Sequence, residues 1–470
     1  MISFGTGGWR AIIGDDFTRA NVQLLTKAIA TKMKAEGVAD KGFCIGYDRR
    51  FLSVESAHWA AEVLAAENIP TMVIDRDVPT PVIMFTVKNK DMYYGMAVTA
   101  SHNPAIYNGI KVFTHGGRDA DETVTNELEK IISGIKPEEI QLVPYQKALD
   151  SGIVKEVNPL NDFIDSIIAA VDMDCIRSRG LKIVLDPMYG VSKTSLETIL
   201  YTARCDVEVI HERHDTLFGG RLPAPNVDTL NTLRNMVREK KSDIGIATDG
   251  DADRLGVIDD TASFVHPNQI LVMLYYYLVK YKGWTGPAVR NIATTHMLDK
   301  VADAFGQKCY EVPVGFKHVS AKMTETNAVI GGESSGGLTV RGHISGKDGI
   351  YAAMLLVEMI AKTGKQLSQI YKDIVNEFGA LYMAERDYRF TQERKAEVLK
   401  MLMEDRLLPE FPVEVEKVSY LDGCKVYFKN GGWIIARFSG TEPLIRIFCE
   451  MPTIEEANAI CDLMKNFLGL

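Results

Sequence analysis

Short apolar segments alternate with helical segments in three successive rounds along this chain of 470 residues. The first helix shows the pattern clearly, because its apolar residues recur every three or four positions, at Val22, Leu25, Ile29 and Met33. Thr18 precedes them as the predicted N-cap. Strands that alternate with helices in this way form βαβ units. The sequence therefore predicts α/β domains built on largely parallel sheets.

The end of the chain has a different pattern, in which short strands alternate around turns such as Lys429-Asn430-Gly431 and are followed by an amphipathic helix at residues 454–467. A chain of this length exceeds a single core and suggests about three or four domains. We predict three α/β domains with mixed sheets, followed by a smaller α+β domain with an antiparallel sheet, all around one central cleft. The predicted bounds are 1–150, 151–258, 259–375 and 376–470.

Composition and charge exclude several classes of partner. The formal net charge of −9 argues against a nucleic acid, since the surface as a whole repels a polyanion. The most apolar helical stretch, residues 270–279, is far shorter than the ~20 residues of a membrane span. The N-terminus lacks the pattern of a signal peptide, and the seven cysteines include no CxxC pair. We expect a cytoplasmic protein with reduced thiols and no membrane or nucleic acid partner.

Each of the three rounds ends in an apolar strand followed by an unusual polar loop. These loops are residues 99–104, 248–254 and 331–337. Ligands of open α/β sheets bind beyond the carboxyl ends of the strands. The three loops could therefore face one cleft.

The second loop carries three carboxylates, Asp249, Asp251 and Asp253, directly after an apolar strand. Their mutual repulsion is unfavourable without a cation, and hard oxygen ligands favour Mg²⁺ or a similar ion. A calcium loop is one alternative, but its required glycine position is Arg254 here. A solvated turn without metal is the other alternative.

The first loop carries Ser101, followed by His102-Asn103-Pro104. Serine and asparagine bond their own backbone and proline stops continuation, so this segment alone could be a capped turn. A serine that carries a phosphoryl group needs charge neutralisation, which a metal loop in a neighbouring domain would supply. Together the two loops favour a catalytic serine.

Two later segments have the composition of ligand-binding loops. Residues 437–446 combine two arginines, two hydroxyls and a glycine, which suits a phosphate cradle, although a β-turn with exposed arginines is the alternative. Glu333 and Ser335 stand among glycines and could bind vicinal sugar hydroxyls, although a plain turn would look the same.

Five segments in this order resemble the α-D-phosphohexomutase family, and the resemblance covers the whole chain. They are its opening segment (residues 4–10), phosphoserine loop (99–104), magnesium loop (249–254), sugar loop (332–336) and phosphate loop (437–446). The resemblance implies four domains, a phosphorylated Ser101, and Mg²⁺ held by Ser101, Asp249, Asp251 and Asp253. It implies that Arg10 and Lys111 neutralise the transferring phosphoryl group, with Lys111 or His102 handling the hydroxyl proton.

The resemblance also implies which residues hold the substrate. Those predicted to bind it are Arg254, Gly315, Lys317, Glu333, Ser335, His343, Lys347, Arg437, Ser439, Gly440, Thr441 and Arg446. Family members that accept both glucose and mannose phosphates carry Gly-Glu-Met-Ser-Gly-His in the sugar loop, whereas Ser334 and Gly337 stand here. The segment of residues 343–349 instead resembles the pattern of glucose-specific members, so we expect glucose phosphates.

The expected activity is the reversible conversion of glucose 1-phosphate to glucose 6-phosphate through glucose 1,6-bisphosphate, which also serves as activator. Mannose phosphates, alone or together with glucose phosphates, are the alternative substrates. A magnesium-dependent phosphatase and a non-catalytic sugar-phosphate sensor are two other classes, although none of the serine or aspartate positions that a sensor would lose is missing. The expected partners are small sugar phosphates, and the expected state is a monomer or homodimer.

Overall fold

Eight strands form the first sheet in a computed structural model that describes residues 2–5, 7–438 and 444–470. The strands are β1 (Phe4–Gly5), β2 (Gly8–Ile12), β3 (Phe43–Tyr47), β4 (Thr71–Ile74), β5 (Tyr94–Val98), β6 (Tyr107–Thr114), β7 (Arg118–Asp119) and β8 (Val154–Val157). Their order is β1-β2-β6-β5-β3-β4-β8, with β7 paired to β6. Strands β5, β3, β4 and β8 run parallel, whereas β6 is antiparallel to its neighbours, so the sheet is mixed.

Five α-helices accompany this sheet among the described residues: α1 (Arg19–Ala35), α2 (Ser53–Ala66), α3 (Thr80–Asn89), α4 (Glu122–Gly134) and α5 (Tyr145–Asp150). The predicted cap of α1 is present, since the Thr18 side chain accepts a hydrogen bond from the Asn21 amide. The predicted apolar stripe of α1 is fully buried in the core of the first domain. Helix α1 therefore forms for the reasons that its sequence gives.

The second sheet has five strands: β9 (Lys182–Asp186), β10 (Asp206–Val209), β11 (Ile244–Thr248), β12 (Leu255–Asp259) and β13 (Phe264–Val265). In the order β10-β9-β11-β12-β13, the first three strands are parallel and the last two are antiparallel to their neighbours. The helices of this region are α6 (Leu160–Ala170), α7 (Met173–Arg177), α8 (Lys193–Thr202) and α9 (Asn231–Lys240). The hairpin between β11 and β12 contains the aspartate loop.

The next region contains β14 (Ala288–Asn291), β15 (Cys309–Val312), β16 (Ile330–Gly332) and β17 (Leu338–Val340). Strand β14 pairs in parallel with both β15 and β16. Its helices are α10 (Pro267–Lys280), α11 (Met297–Ala304), α12 (Phe316–Thr326), α13 (Gly349–Thr363) and α14 (Leu367–Phe378). Helix α13 is buried on nearly every side, and Asp348 caps it by accepting hydrogen bonds from the amides of Ile350 and Tyr351.

The C-terminal domain has an antiparallel sheet in the order β18-β22-β21-β20-β19. Its strands are β18 (Tyr382–Arg389), β19 (Val415–Ser419), β20 (Cys424–Phe428), β21 (Trp433–Phe438) and β22 (Leu444–Met451), and its α-helices are α15 (Gln392–Leu399) and α16 (Ile454–Leu468). Helix α16 packs its buried residues into a core with the strands. The predicted turn at residues 429–431 joins β20 to β21.

The chain folds into two compact units that are not continuous in sequence. The first unit is Met1–Ile270 with Ser335–Gln369, and the second is Leu271–Ser334 with Ile370–Leu470. The first unit thus contains the first two sheets with β17 and α13. The second contains strands β14 to β16 and the antiparallel sheet.

The predicted fold class, three mixed-sheet α/β domains followed by a smaller antiparallel-sheet domain, is confirmed. The prediction of largely parallel sheets overlooked the antiparallel partners β6, β12 and β13, because the direction of a strand is set by its pairing across the sheet. The first sheet also takes β8 from beyond residue 150, and the four domain bounds stay predictions. Among the described residues, no helix is long and apolar enough to cross a membrane.

Candidate functional site

Ser101 occupies a tight turn between β5 and β6 in the first unit. Its φ of +52° lies in the left-handed region, which is uncommon for a residue with a side chain. Its amide donates to Thr99 Oγ1 at 2.8 Å, and the residue is fully buried. The strained backbone and this local hydrogen bond fix the direction of the hydroxyl.

Arg50 anchors the backbone of the serine loop, residues 99–104. Its buried guanidinium donates hydrogen bonds to four carbonyl oxygens, those of Ser101 (2.6 Å), Asn103 (2.7 Å), Pro104 (2.9 Å) and Tyr107 (2.9 Å). Asp48 balances its charge at 3.3 Å, and the Phe218 ring lies 4.8 Å beneath the guanidinium carbon. A planar fork with several donors suits this task, so Arg50 determines the shape of the loop.

The three aspartates reach the serine from the hairpin between β11 and β12. Ser101 Oγ donates to Asp249 Oδ2 at 2.7 Å, although the two residues are 148 positions apart in sequence. The carboxylates of Asp249, Asp251 and Asp253 are buried, and one oxygen from each lies within 4.8 Å of the others. The structure therefore joins the two predicted catalytic loops within the first unit.

Two of these carboxylates each keep one oxygen free for a cation. Lys111 Nζ donates at 2.6 Å to Oδ2 of both Asp251 and Asp253, and Thr80 Oγ1 donates to the same Asp251 oxygen at 2.7 Å. Oδ1 of Asp251 and Oδ1 of Asp253 are buried and have no hydrogen-bond partner among the described residues. Unpaired buried carboxylate oxygens are unfavourable unless a cation binds them. These residues therefore fit a small divalent ion such as Mg²⁺.

Electrostatics distinguishes the three carboxylates. Burial, reinforced by the charges of Asp251 and Asp253, raises the pKa of Asp249 well above its ordinary value. Burial also opposes ionisation of Asp253, but Lys111, Lys347 and Arg254 together hold its pKa well below the usual range. Burial opposes ionisation of Asp251 as well, but Lys111 and the hydrogen bond from Thr80 lower its pKa. Asp251 and Asp253 are thus the anions of the cluster, while Asp249 needs a positive neighbour to ionise fully.

Lys111 and His102 differ in charge at neutral pH. Burial opposes protonation of Lys111, but the carboxylates of Asp251 and Asp253 outweigh it and raise the lysine pKa. Burial, with the charges of Arg254 and Arg10, lowers the pKa of His102, whose Nδ1 lies 3.3 Å from Ser101 Oγ. Lys111 is therefore a cation and His102 is a neutral imidazole beside the serine.

Arg10 is brought to the same place by β2. The strand pairs with β6, which sets Arg10 opposite Gly109, and Arg10 Nη1 donates to Asn103 Oδ1 at 2.7 Å. Its Nε is buried without a hydrogen-bond partner among the described residues. Burial lowers the pKa of Arg10, and the like charge of Arg254 adds to this effect. An unsatisfied buried guanidinium nitrogen is suited to an anionic ligand.

The chain returns to the aspartate loop after residue 334. Gly337 forms an isolated antiparallel β-bridge with Arg254, and the amide of Leu255 donates a hydrogen bond to the carbonyl oxygen of Gly336 at 3.2 Å. Lys347 Nζ then lies 2.9 Å from Asp253 Oδ2, while Ser335 is exposed. The backbone amide of Arg254 donates to Asp249 Oδ1 at 3.0 Å. Arg254 and Lys347 are thus part of the same cluster of side chains.

His343 lies apart from that cluster within the first unit. Its Nε2 is 2.7 Å from Asp348 Oδ2, and its ring is 4.8 Å from that of Tyr351 and 5.7 Å from that of Phe163. His343 therefore contacts the carboxylate of Asp348, which caps α13. None of its described contacts is to an aspartate of the cluster, so its predicted contact with substrate stays a prediction.

In the second unit, Glu333 is hydrogen-bonded to Gly315, and the predicted contacts of both with the sugar stay predictions. Glu333 Oε1 accepts hydrogen bonds from the Gly315 amide at 3.0 Å and from Asn291 Nδ2 at 2.9 Å. Lys317 follows as the second residue of α12 and is half-buried. One oxygen of Glu333 is thus held by protein donors.

Arg437 and Arg446 lie directly opposite each other on β21 and β22. Like charges in a cross-strand pair repel, which is the arrangement that an anion relieves. Asp422 accepts from Arg437 Nε with both of its oxygens at 3.0 Å, whereas Asp387 lies 3.9 Å from Arg446 Nε. The predicted residues Ser439, Gly440 and Thr441 lie outside the described residues.

Several residues that shape the site were not predicted from the sequence. Arg50 lies three residues after the end of β3, at the same end of the sheet as the serine loop, so its position was a usable signal. Thr80 begins α3 and offered no signal except its place after Pro79. Asp422 has no local motif that separates it from an ordinary turn residue.

The four domain models of one family match successive parts of the chain. The family is described as phosphoglucomutase/phosphomannomutase, and its α/β/α domains I, II and III match residues 1–139, 161–262 and 266–378. Its C-terminal domain matches residues 389–466. Each of these stretches contains most of one of the four sheets.

Individual relatives match over nearly the full length. A phosphoglucomutase/phosphomannomutase from Thermococcus kodakarensis is 30% identical over 98% of this chain and 97% of its own length. A protein from Methanosphaera stadtmanae, described as a probable phosphoglucosamine mutase, is 27% identical over 99% of this chain and 98% of its own. A crystal structure from Thermus thermophilus, provisionally assigned as a phosphomannomutase, superimposes with a TM-score of 0.86 at 27% identity, covering 100% of this chain and 99% of that one.

Proposed function

The chain belongs to the α-D-phosphohexomutase superfamily of isomerase-class phosphotransferases, and we propose that it interconverts glucose 1-phosphate and glucose 6-phosphate through a phosphorylated Ser101. The single observation that carries the proposal is the hydrogen bond of 2.7 Å from Ser101 Oγ to Asp249 Oδ2. It places a hydroxyl that can carry a phosphoryl group against three buried carboxylates. Phosphoryl transfer depends on such positioning and charge balance.

In the first half-reaction, a free hydroxyl of the sugar phosphate attacks the phosphorus of phosphorylated Ser101. The bond from phosphorus to Ser101 Oγ breaks, and a bond to the sugar oxygen forms, which gives glucose 1,6-bisphosphate. In the second half-reaction, the bisphosphate returns its other phosphoryl group to Ser101 Oγ. The sugar thus leaves with its phosphate on the other carbon, and the enzyme is phosphorylated again.

The cations around Ser101 match the charge of this reaction. A phosphoserine carries about −1.5 to −2 charge at neutral pH, and Arg10, Lys111 and Lys347 surround the cluster. Bound Mg²⁺, held by Asp249, Asp251, Asp253 and the serine phosphate, would supply further neutralisation of the phosphoryl oxygens. Lys111 is already protonated, so its part is charge stabilisation. His102 is neutral and lies beside Ser101 Oγ, so we assign it as the group that accepts the proton of the attacking sugar hydroxyl.

The residues that we propose for the rest of the substrate belong to the second unit. We assign Glu333, with Gly315 and Lys317, to the sugar hydroxyls, because Glu333 keeps a carboxylate oxygen beyond the one held by Gly315 and Asn291. We assign the facing arginines Arg437 and Arg446, with Ser439, Gly440 and Thr441, to the phosphate that does not react. A second phosphate site distinguishes a mutase from a phosphatase.

The preference for glucose rests on Lys347 and Gly337. A Cβ on Gly337 would lie 2.3 Å from Lys347 Cδ, so Lys347 fills the space that a side chain at position 337 would need. Gly337 stands where dual-specificity members carry a histidine, and the space beside it is filled by Lys347, which reaches Asp253. A mannose phosphate, alone or beside glucose phosphate, is the alternative substrate, since the matched relatives carry several substrate names.

Product analysis tests the proposal. Purified protein is incubated with Mg²⁺, glucose 1-phosphate and a trace of glucose 1,6-bisphosphate, and glucose 6-phosphate and inorganic phosphate are measured. We expect glucose 6-phosphate without release of phosphate, and mannose 1-phosphate turned over with a lower kcat/KM. Release of inorganic phosphate without glucose 6-phosphate would overturn the mutase assignment and favour a magnesium-dependent sugar phosphatase. A higher kcat/KM for mannose 1-phosphate would overturn only the choice of sugar.

A further inference from the structure

Asp422 makes contacts from the turn before β20 to two separate parts of the second unit. Both of its carboxylate oxygens lie 3.0 Å from Arg437 Nε, and Oδ2 also accepts a hydrogen bond of 2.9 Å from the amide of Val314. Asp422 and Arg437 are largely buried, with 23% and 19% of their side-chain surfaces exposed. The carboxylate therefore joins an arginine of the C-terminal sheet to the loop between β15 and α12.

The turn that carries Asp422 is shaped to hold it there. Gly423 has a φ of +88°, a left-handed conformation that favours glycine. A Cβ at this position would lie 2.6 Å from Ala436 O and 3.0 Å from Arg437 Cα. The backbone of the turn thus packs directly against Arg437, and the position of Asp422 follows from that close approach.

The loop on the other side of Asp422 is the one that holds Glu333. The amide of Val314 donates to Asp422, and the amide of the next residue, Gly315, donates to Glu333 Oε1 at 3.0 Å. Two successive backbone amides are therefore bonded to two different carboxylates. Hydrogen bonds to charged groups are among the stronger ones, so this dipeptide is held at both amides.

We propose that Asp422 is a positioning residue that aligns Arg437 for the phosphate and, through the amide of Val314, fixes the loop that holds Glu333 for the sugar. The proposal rests on the proposed function, because it takes Arg437 and Glu333 as substrate-binding residues. Asp422 itself does not touch substrate in this scheme. Its effect is to couple the site for the phosphate to the site for the sugar.

Three substitutions separate the two contacts of Asp422. Asp422→Ala removes both the contact with Arg437 and the contact with Val314. Asp422→Asn keeps one oxygen for the Val314 amide but presents an amide NH₂ to Arg437 Nε. Arg437→Lys leaves Asp422 bonded to Val314 while it weakens the forked contact with phosphate.

Double-mutant cycles with Glu333→Gln test the coupling. Dissociation constants for glucose 1-phosphate are measured by calorimetry with Mg²⁺ in a Ser101→Ala background, so that no turnover is needed. We expect Asp422→Ala and Arg437→Lys each to weaken binding about tenfold. Asp422→Ala with Glu333→Gln should depart from the product of the single effects by at least about threefold, whereas Arg437→Lys with Glu333→Gln should agree with that product within about twofold.

Asp422→Asn adds a check against simple loss of structure. Because it retains the Val314 contact, its cycle with Glu333→Gln should be additive while its single effect on binding remains. Glu414→Gln, which removes an exposed partner of Lys429 in the same domain, serves as the control and should leave binding unchanged. Additivity of Asp422→Ala with Glu333→Gln would overturn the proposal. Failure of the mutase assay in the wild type would overturn the proposed function instead, and the binding cycles would remain readable.

Discussion

The hydroxyl of Ser101 and the carboxylate of Asp249 share a hydrogen bond of 2.7 Å, with the serine oxygen as donor. The serine belongs to the turn after a strand of the first sheet, and the aspartate follows a strand of the second sheet. Burial and two neighbouring carboxylates raise the pKa of Asp249, so the pair is sensitive to any positive charge beside it. Phosphorylation of Ser101 and binding of a divalent ion would therefore act on the same few atoms.

Replacing Ser101 tests the phosphoryl carrier. Ser101→Ala should abolish nearly all turnover, because no other hydroxyl among the described residues contacts Asp249 Oδ2, and it should leave the fold intact. Mutase activity and incorporation of labelled phosphate from glucose 1,6-bisphosphate are the measurements. Ser133→Ala, on the exposed side of α4, is the matched control and should behave as wild type. Retention of more than about a tenth of the activity in Ser101→Ala would count against the assignment.

Removal of the divalent ion should stop the reaction reversibly. Chelation should abolish turnover and added Mg²⁺ should restore it, since Oδ1 of Asp251 and Oδ1 of Asp253 are buried and accept no hydrogen bond from the described residues. Saturating Mg²⁺ should also raise the unfolding midpoint by about 2–4 °C in the wild type. Asp251→Asn should lose most of that increment. An equal Mg²⁺ increment in both proteins, measured by calorimetry, would contradict the assignment of the site.

Arg50 should affect the rate of reaction more than the affinity for substrate. Arg50→Lys cannot reach all four carbonyl oxygens of the serine loop, so we expect kcat to fall about 100-fold with KM changed by less than about threefold. Steady-state kinetics measures both constants. Arg49→Lys is the control, because Arg49 pairs with Asp77 and does not contact the serine loop. A change confined to KM would indicate that Arg50 acts on substrate binding instead.

A buried lysine in the second unit predicts a pH dependence of stability. Lys425 Nζ is fully buried and lies 2.6 Å from Ile292 O, 2.7 Å from Glu311 Oε2 and 3.1 Å from His296 Nε2. Burial, reinforced by the charge of Arg290, lowers its pKa to about 7 despite the attraction of Glu311. The same surroundings lower the pKa of His296 to about 3, chiefly through burial.

The sign of the effect follows from the lower pKa of Lys425 in the folded protein. An unfolded lysine titrates near 10.5, so between pH 7 and 10.5 the unfolded chain binds more protons than the folded one, and stability rises with pH. Relative to Lys425→Met, the wild type should therefore gain roughly 3 kcal/mol between pH 7 and 9.5. Thermal unfolding at both pH values measures the difference in free energy of unfolding between the wild type and Lys425→Met. Lys429→Met, which replaces an exposed lysine, is the control. If the free energy of unfolding of the wild type, relative to that of Lys425→Met, stays constant or falls as pH rises, the result would be inconsistent with a lowered pKa of Lys425.

The sequence predicted those parts of the fold and site that rest on local patterns. Helix α1 has the predicted stripe and cap, and the strand before Ser101 and the strand before Asp249 lie where the apolar runs indicate. The contact between the two loops could be inferred because each follows the carboxyl end of a strand, one in the first sheet and one in the second, and ligands of open α/β sheets bind beyond such ends. Antiparallel partners such as β12 were missed, since strand direction is decided by pairing across the sheet and not by periodicity.

Residues that act through long-range contacts could not be found in this way. Arg50 gains its role from four carbonyl groups more than fifty positions away, and no spacing rule encodes that distance. The predicted substrate contact of His343 rested on the resemblance of residues 343–349 to a family pattern and stays a prediction, whereas the contact of its Nε2 with Asp348 had no signal in the sequence. Lys347 and His343 are close in sequence, but Lys347 belongs to the charged cluster and His343 packs elsewhere.

The return of Ser335–Gln369 to the first unit has a consequence for the growing polypeptide. The residues up to 270 emerge from the ribosome first, but they lack Lys347, which lies 2.9 Å from Asp253. Domains generally fold as units during synthesis, N-terminal ones first. Here the last piece of the serine-bearing unit arrives only after translation has passed residue 369, so a truncated chain that ends earlier would leave the aspartate loop without one of its cations.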